Sequence, residues 1–262
     1  MANNYLEGKF MKRSLIFVYG VASYAVFFAT FVYAIGFIGN IAVPKAIDSA
    51  PTLPLGTSLL IDLGLLGLFA IQHSGMARPA FKRWLTRFVP QAAERSTYVL
   101  ASSLSLVLTM WFWAPLGGVV WNATSSLAQW TLTGLYFASW GLLLYVTFLI
   151  NHFDLFGLRQ AGYALLGRDV PPQRFVTPTL YRIVRHPLYV GWLGIFWFAP
   201  TMTVTHLLFA VVTSAYILVA IRLEERDLAQ VHPEYAQYRR KVPMLLPSLR
   251  RRLTTDDEIL SS

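Results

Sequence analysis

The chain has 262 residues, of which 55% are hydrophobic and only 13% charged, about half the charged share of an average soluble domain. It has no Cys, which excludes disulfides, thiolate-bound metals and covalent catalysis through a protein thiol. A net charge of +9 would suggest nucleic acid in a soluble protein, but here the basic residues flank long apolar runs, so membrane topology and anionic lipid account for the charge and no nucleic-acid partner is expected.

The first apolar run, Leu15–Phe37, follows Lys9, Lys12 and Arg13. It is too long for a signal-peptide core of roughly 7–15 residues and reads as a spanning helix. A loop with Pro44, Pro51 and Pro54 leads to a second span, Leu55–Gln72. Its one charge, Asp62, is expected to reach water from near the helix end. The next stretch carries Arg78, Lys82, Arg83, Arg87 and Arg95 against Glu94, with Phe81, Trp84, Leu85 and Phe88 at helical spacing. That pattern predicts an amphipathic helix lying on the bilayer surface. Tyr98–Leu116 is a third span, followed by the uncharged loop GGVVWNATSS, and Trp130–Ile150 is a fourth. The connection from Arg159 to Arg185 reads as loop with at most a short helix. Leu188–Pro200 is short; with Thr201–Thr205 it either just spans or forms half of a re-entrant hairpin. Leu207–Leu223 is the last apolar segment, and residues 248–262 read as a mobile tail.

The expected fold is therefore an all-α polytopic membrane bundle of five to six spans. Residues 1–178 form its N-terminal helices and loops, and residues 179–247 a C-terminal module built on a helical hairpin. Of the 22 Lys and Arg residues, all but Lys45 fall at the N-terminus, after the second and fourth segments, or from Arg222 onward. Six spans with both termini in the cytoplasm satisfy that alternation. The same topology gathers Gln72–His73, Asn151–Asp154, Arg185–Tyr189 and Glu224–Glu225 at the cytoplasmic face.

Several of these residues suit chemistry. Pro187 fits the first turn of a helix, which leaves Arg185 and His186 at an N-terminus able to attract an anion. On spacing alone they serve equally well as a basic helix cap without a ligand. Gly191 permits close backbone approach, and Tyr189 offers a ring face and a hydroxyl. Glu224 and Glu225 oppose the basic trend of their face, which favours a binding role over local ion pairing. His73 and His152 are available as bases, with Asp154 placed to orient an imidazole. His206 and His232 read as peripheral. No HExxH, GxGxxG, P-loop or GxSxG motif occurs, and metal chemistry is not expected.

RHPLYVG, an apolar hairpin, EE and EYAQYRRKVP together resemble the C-terminal module of integral-membrane S-adenosylmethionine methyltransferases. That group includes isoprenylcysteine carboxyl methyltransferase and the phospholipid N-methyltransferases. With QHSGMARPAFKRW and NHFDLFGLRQ, the chain from about Leu15 to Pro247 is similar to the bacterial methanethiol S-methyltransferase branch, which is related to NnrU. The resemblance implies S-adenosyl-L-methionine as cofactor, held by Arg185, His186, Pro187, Tyr189, Gly191, Glu224, Glu225, Tyr235 and Tyr238. It also implies in-line transfer to a small thiol, methanethiol giving dimethyl sulfide, in a bacterial inner membrane. His73, His152, Asp154 and Arg185 are then the candidates for activating the thiol. Trp192, Phe196, Trp197 and Tyr216 are candidates for an aromatic wall around the methylsulfonium. The alternatives are methylation of a lipid amine or prenylcysteine carboxylate on the same fold, an NADPH-dependent sterol-type reductase with a similar RHP hairpin, and a non-enzymatic NnrU-like membrane protein.

Overall fold

The computed structural model describes residues 2–171 and 177–247; the expected tail, residues 248–262, lies outside the described residues. In chain order the elements are α1 (Ala2–Gly39), α2 (Leu55–Ala77), α3 (Pro79–Leu85), α4 (Gln91–Phe112), β1 (Val119–Asn122), α5 (Ser126–Leu149), α6 (His152–Leu155), α7 (Leu158–Leu165), α8 (Pro187–Trp197), β2 (Thr201–Thr203), α9 (Val204–Val231) and α10 (Tyr235–Lys241). The protein is an all-α membrane bundle apart from one small ribbon. Each of the six apolar segments forms a helix. Four of them, α1 from Glu7 onward, α2, α5 and α9, are long and apolar enough to cross a membrane. The fifth, α8, is apolar but short. The sixth, α4, turns a face of Ser96, Ser102, Ser103, Ser105 and Thr109 inward and packs between α1 and α2. Small residues there let the backbones approach closely.

Two glycines set the fit of α8 on α5. A Cβ on Gly191 would stand 3.2 Å from the backbone nitrogen of Leu143, and one on Gly194 would collide with Ser139 Oγ. Gly191 thus serves helix packing. Eleven helical residues cover only about 16 Å, so α8 alone does not traverse the bundle. Just beyond it Thr201–Thr203 pairs as β2 with β1, antiparallel, Trp121 opposite Met202 and Asn122 opposite Thr201. This ribbon corrects the expectation of an irregular GGVVWNATSS loop: the backbone groups at that end find each other across the two connections.

Two further expectations are corrected at the ribbon end. Asp62 does not reach water. It is fully buried, and its Oδ1 accepts a hydrogen bond of 2.8 Å from the Ala114 N–H just past the end of α4. His206 is not peripheral but almost wholly buried. Its Nδ1 lies 3.3 Å from Asp48 Oδ2 and its Nε2 3.1 Å from the Phe196 carbonyl.

The amphipathic stretch after α2 is shorter than expected, the seven residues of α3. Trp84 and Phe88 remain exposed beside it, as a surface helix at a bilayer requires. At the other extreme α9 runs on past its apolar part. Glu224 and Glu225 therefore sit on the same continuous helix as the membrane-crossing segment, which fixes their direction toward α8.

Candidate active site

The start of α8, the end of α9 and α10 meet in one cluster, buried except at Arg239. Glu225 is its centre. Its Oε1 accepts from Arg185 Nε at 2.7 Å and lies 3.0 Å from His186 Nε2, and its Oε2 lies 3.2 Å from Arg239 Nε. The Arg185 side chain also donates to the carbonyls of Arg239, at 3.0 Å, and Val242, at 2.5 Å. The backbone N–H groups of Arg185 and His186 go to Pro243 and Met244. Arg185 therefore ties the C-terminal segment to α8 and α9 and is committed to that task. A buried charge needs such pairing and hydrogen bonding to be tolerated. Tyr235, also buried, has its phenol pushed up by burial and then by the Glu225 charge. Burial pushes Tyr238 up to about 12, and this neutral phenol donates to the Tyr181 carbonyl at 2.6 Å.

In front of the cluster lies a cavity of about 430 Å³, a size typical of small-molecule sites. The C-terminal hairpin supplies Tyr189, whose hydroxyl donates to Glu224 Oε2 at 3.1 Å, together with Tyr216, Glu224 and Asp227. The opposite wall is the end of α2 and the start of α4, with His73, Ser74, Arg78 and Tyr98. Phe69 stacks on the His73 ring with centroids 5.1 Å apart. Ser102 Oγ is 3.2 Å from His73 Nδ1, and the Tyr98 hydroxyl is 3.1 and 3.0 Å from Nδ1 and Nε2. Two bonds close the walls together: Ser74 to the Tyr216 hydroxyl at 2.9 Å, and Arg78 to Asp227 at 2.9 Å. One space is thus bounded by a held imidazole, three phenols and two carboxylates.

Comparison with known proteins names the lineage. A methanethiol S-methyltransferase of Crocosphaera subtropica is 54% identical, over 92% of this chain and 95% of its own. A methanethiol S-methyltransferase of Mycobacterium tuberculosis is 49% identical, over 90% of this chain and 98% of its own. The chain belongs to the methanethiol S-methyltransferase family. It is accordingly a methyltransferase, embedded in the membrane by its apolar helices. Nurim of Bos taurus is a more distant relative, 34% identical over 71% of this chain and 73% of its own. No family model matches the chain, and no solved structure matches it.

Against this family background, the expected site residues divide into three groups. His73, Tyr189 and Glu224 line the cavity. Arg185, His186, Glu225, Tyr235 and Tyr238 form the clamp behind it, with Pro187 buried at the first turn of α8. His152 and Asp154 lie elsewhere. The ring nitrogens of His152 are taken by the Tyr24 hydroxyl and by Thr147 Oγ1, each at 2.8 Å. Asp154 therefore does not orient it; its carboxylate meets Arg159 at 3.3 Å. Among the aromatic candidates only Tyr216 reaches the cavity. Trp192 and Phe196 pack in the core, and Trp197 donates to Ser214 at 2.9 Å. His232, expected to be peripheral, stands on the cavity wall.

Sequence reasoning missed Ser74, Arg78, Tyr98, Asp227 and Arg239. A helical-face reading could have found three of them. Ser74, in the last turn of α2, is four residues before Arg78, which caps that helix, and Asp227 follows Glu224 by three on α9, both one-face spacings. Tyr98 and Arg239 had no such signal, because their partners are distant in the chain.

Proposed function

We propose that this family member transfers a methyl group from S-adenosylmethionine to methanethiol, giving dimethyl sulfide, at the cytoplasmic face of the membrane. The observation that carries the reading is the shared cavity: His73 from the first half of the chain and Tyr189 with Glu224 from the second bound one space. The names of the relatives add the acceptor. The basic loops that flank the cavity favour the cytoplasmic side.

The residues present suit this donor. Glu224 and Asp227 offer carboxylates for an ammonium group and ribose hydroxyls, and the Tyr98, Tyr189 and Tyr216 rings offer faces to a sulfonium. When bound, S-adenosylmethionine supplies an electrophilic methyl group on a cationic sulfur whose charge disappears on transfer. The Arg185–Glu225–Arg239 clamp holds the Glu224 end of α9 against α8. His73 takes the proton of the incoming thiol, so that sulfur attacks as a thiolate. The hydroxyls of Ser102 and Tyr98 keep its ring aimed at the cavity.

The test is a headspace assay on purified protein in detergent with methanethiol and S-adenosylmethionine. Dimethyl sulfide that requires both reagents, and that falls with His73→Asn, supports donor, acceptor and base together. Binding of S-adenosylhomocysteine without product would overturn the acceptor and point to a lipid amine or prenylcysteine carboxylate. Absence of both binding and product would overturn the proposal.

A further inference from the structure

S-adenosylmethionine carries a carboxylate, and the start of α8 does not offer that group a cation. The Arg185 guanidinium goes to Glu225 and to the carbonyls of Arg239 and Val242, and the Arg185 and His186 N–H groups go to Pro243 and Met244. Neither residue borders the 430 Å³ cavity. Among the described residues, two arginines do, Arg78 and Arg95. Arg78 is paired with Asp227 at 2.9 Å, and its Nε donates to the Ser74 carbonyl at 3.2 Å. Arg95 stands between this cavity and a larger one of about 870 Å³, bordering both. Its Nε donates to the Leu155 carbonyl at 2.8 Å. Among the described residues it forms no ion pair, and its two Nη groups have no hydrogen-bond partner. Asp154, on the larger cavity, is engaged by Arg159 instead.

The position of Arg95 follows from α4. Arg95, Tyr98 and Ser102 stand at i, i+3 and i+7 on that helix, which is one face. Tyr98 and Ser102 meet the His73 ring, so the same face carries Arg95 onto the cavity wall. Its guanidinium lies over the Tyr98 ring, 5.3 Å from the centroid, and this contact together with the Leu155 carbonyl holds the side chain in place. A guanidinium held at Nε still presents the two N–H groups of its outer edge, which match both oxygens of a carboxylate. Glu224 borders the same cavity from α9. Two such walls, one bearing a free cation and the other a carboxylate, suit a zwitterion with its carboxylate and ammonium on one carbon.

We infer that Arg95 holds the carboxylate of the methyl donor, while Glu224 takes the ammonium group on the same carbon. This rests on S-adenosylmethionine being the donor, as proposed above. The anion site then sits on α4, in the first half of the chain, and not at the RHP start of α8. One face of α4 thereby positions the donor through Arg95 and the base through Tyr98 and Ser102.

The experiment is a calorimetric titration of the full chain in detergent with S-adenosylhomocysteine and with its decarboxylated analogue, which keeps the amine and the thioether. The parent is expected to prefer S-adenosylhomocysteine by about tenfold or more, the ordinary weight of a charge-assisted hydrogen bond. Arg95→Gln is expected to lose that preference, binding S-adenosylhomocysteine about tenfold more weakly and the analogue as well as the parent does. Should Arg95→Gln fail to fold, Arg95→Lys, which keeps the charge without the fork, is read in the same way and should bring the two affinities closer together. An undiminished preference in the variant, or an equal loss for both ligands, would overturn the role of Arg95 and leave the donor standing. Failure of the parent to bind either ligand would overturn the donor itself, and the role of Arg95 with it.

Discussion

The bundle carries a buried histidine–carboxylate pair at each end, and the two have different surroundings. At one end His186 Nε2 lies 3.0 Å from Glu225 Oε1, and at the other His206 Nδ1 lies 3.3 Å from Asp48 Oδ2. Both histidines are buried. The His206 pair is closed in by backbone and ribbon: His206 N–H donates to Thr203 Oγ1 at 3.0 Å, Thr203 donates to Asp48, and β2 is held by β1. Neither cavity described above reaches it. The His186 pair is instead shared with Arg185 and Arg239, and the adjacent carboxylate, Glu224, faces open space. A histidine–carboxylate pair therefore staples one end and backs an open cavity at the other. The difference lies in what neighbours them, not in the pair.

Substitutions can break that comparison. Glu225→Ala is expected to have the largest effect. It leaves Arg185 without its counter-charge and His186 Nε2 without its partner, a loss of about 3–5 kcal/mol by the usual cost of breaking a buried pair. Unfolding in detergent should show the drop, and S-adenosylhomocysteine binding should be lost with it. A variant that stays as stable as the parent would mean that the clamp is not structural. His73→Asn should leave the fold intact and lower turnover about a hundredfold, the ordinary contribution of a positioned base. Its residual rate should climb with pH as the free thiol ionises in solution. A rate unchanged from the parent would remove His73 from the chemistry.

Asp48→Asn at the opposite end should cost about 1–3 kcal/mol of stability, the penalty of disturbing a buried hydrogen-bonded group, with turnover per folded molecule preserved. If it removed activity at unchanged stability, the two ends would not be distinct in role. The smallest effect concerns His152. Burial lowers its pKa, so the unfolded chain takes up the proton first as pH falls below about 6.5. The stability His152 contributes is present above that pH and is lost as pH falls toward its folded value, by at most about 1.4 kcal/mol per unit. His152→Gln should flatten this acid dependence of Tm without altering cofactor binding.

Much of the fold is legible in the order of the residues. Apolar run length announces the helices, because a bilayer admits only closed hydrogen-bonding elements. Pro187 and the RHP–EE spacing announce the hairpin, because a proline at N1 and a polar end on each apolar helix leave few arrangements. Side-chain roles are less legible where the partner is far along the chain. His152 and His73 look alike in sequence, each at the end of a span beside polar residues. Folding puts hydroxyls on the ring nitrogens of both, Tyr24 and Thr147 for His152 and Ser102 and Tyr98 for His73, but sets only the His73 ring on the wall of the 430 Å³ cavity. Asp62 stands near enough to its helix end to suggest contact with water, but Ala114 at the end of another helix covers it.

Local chemistry by itself determined the helices and their order, since hydrophobic length acts over a few residues. Tertiary structure alone decided which polar groups became clamp, wall or staple. Arg185 meets Arg239 and Val242, and His73 meets Tyr98 and Ser102, across dozens of residues. Whether a buried donor finds its acceptor within the protein or in a ligand depends on those long-range meetings, which no local pattern encodes.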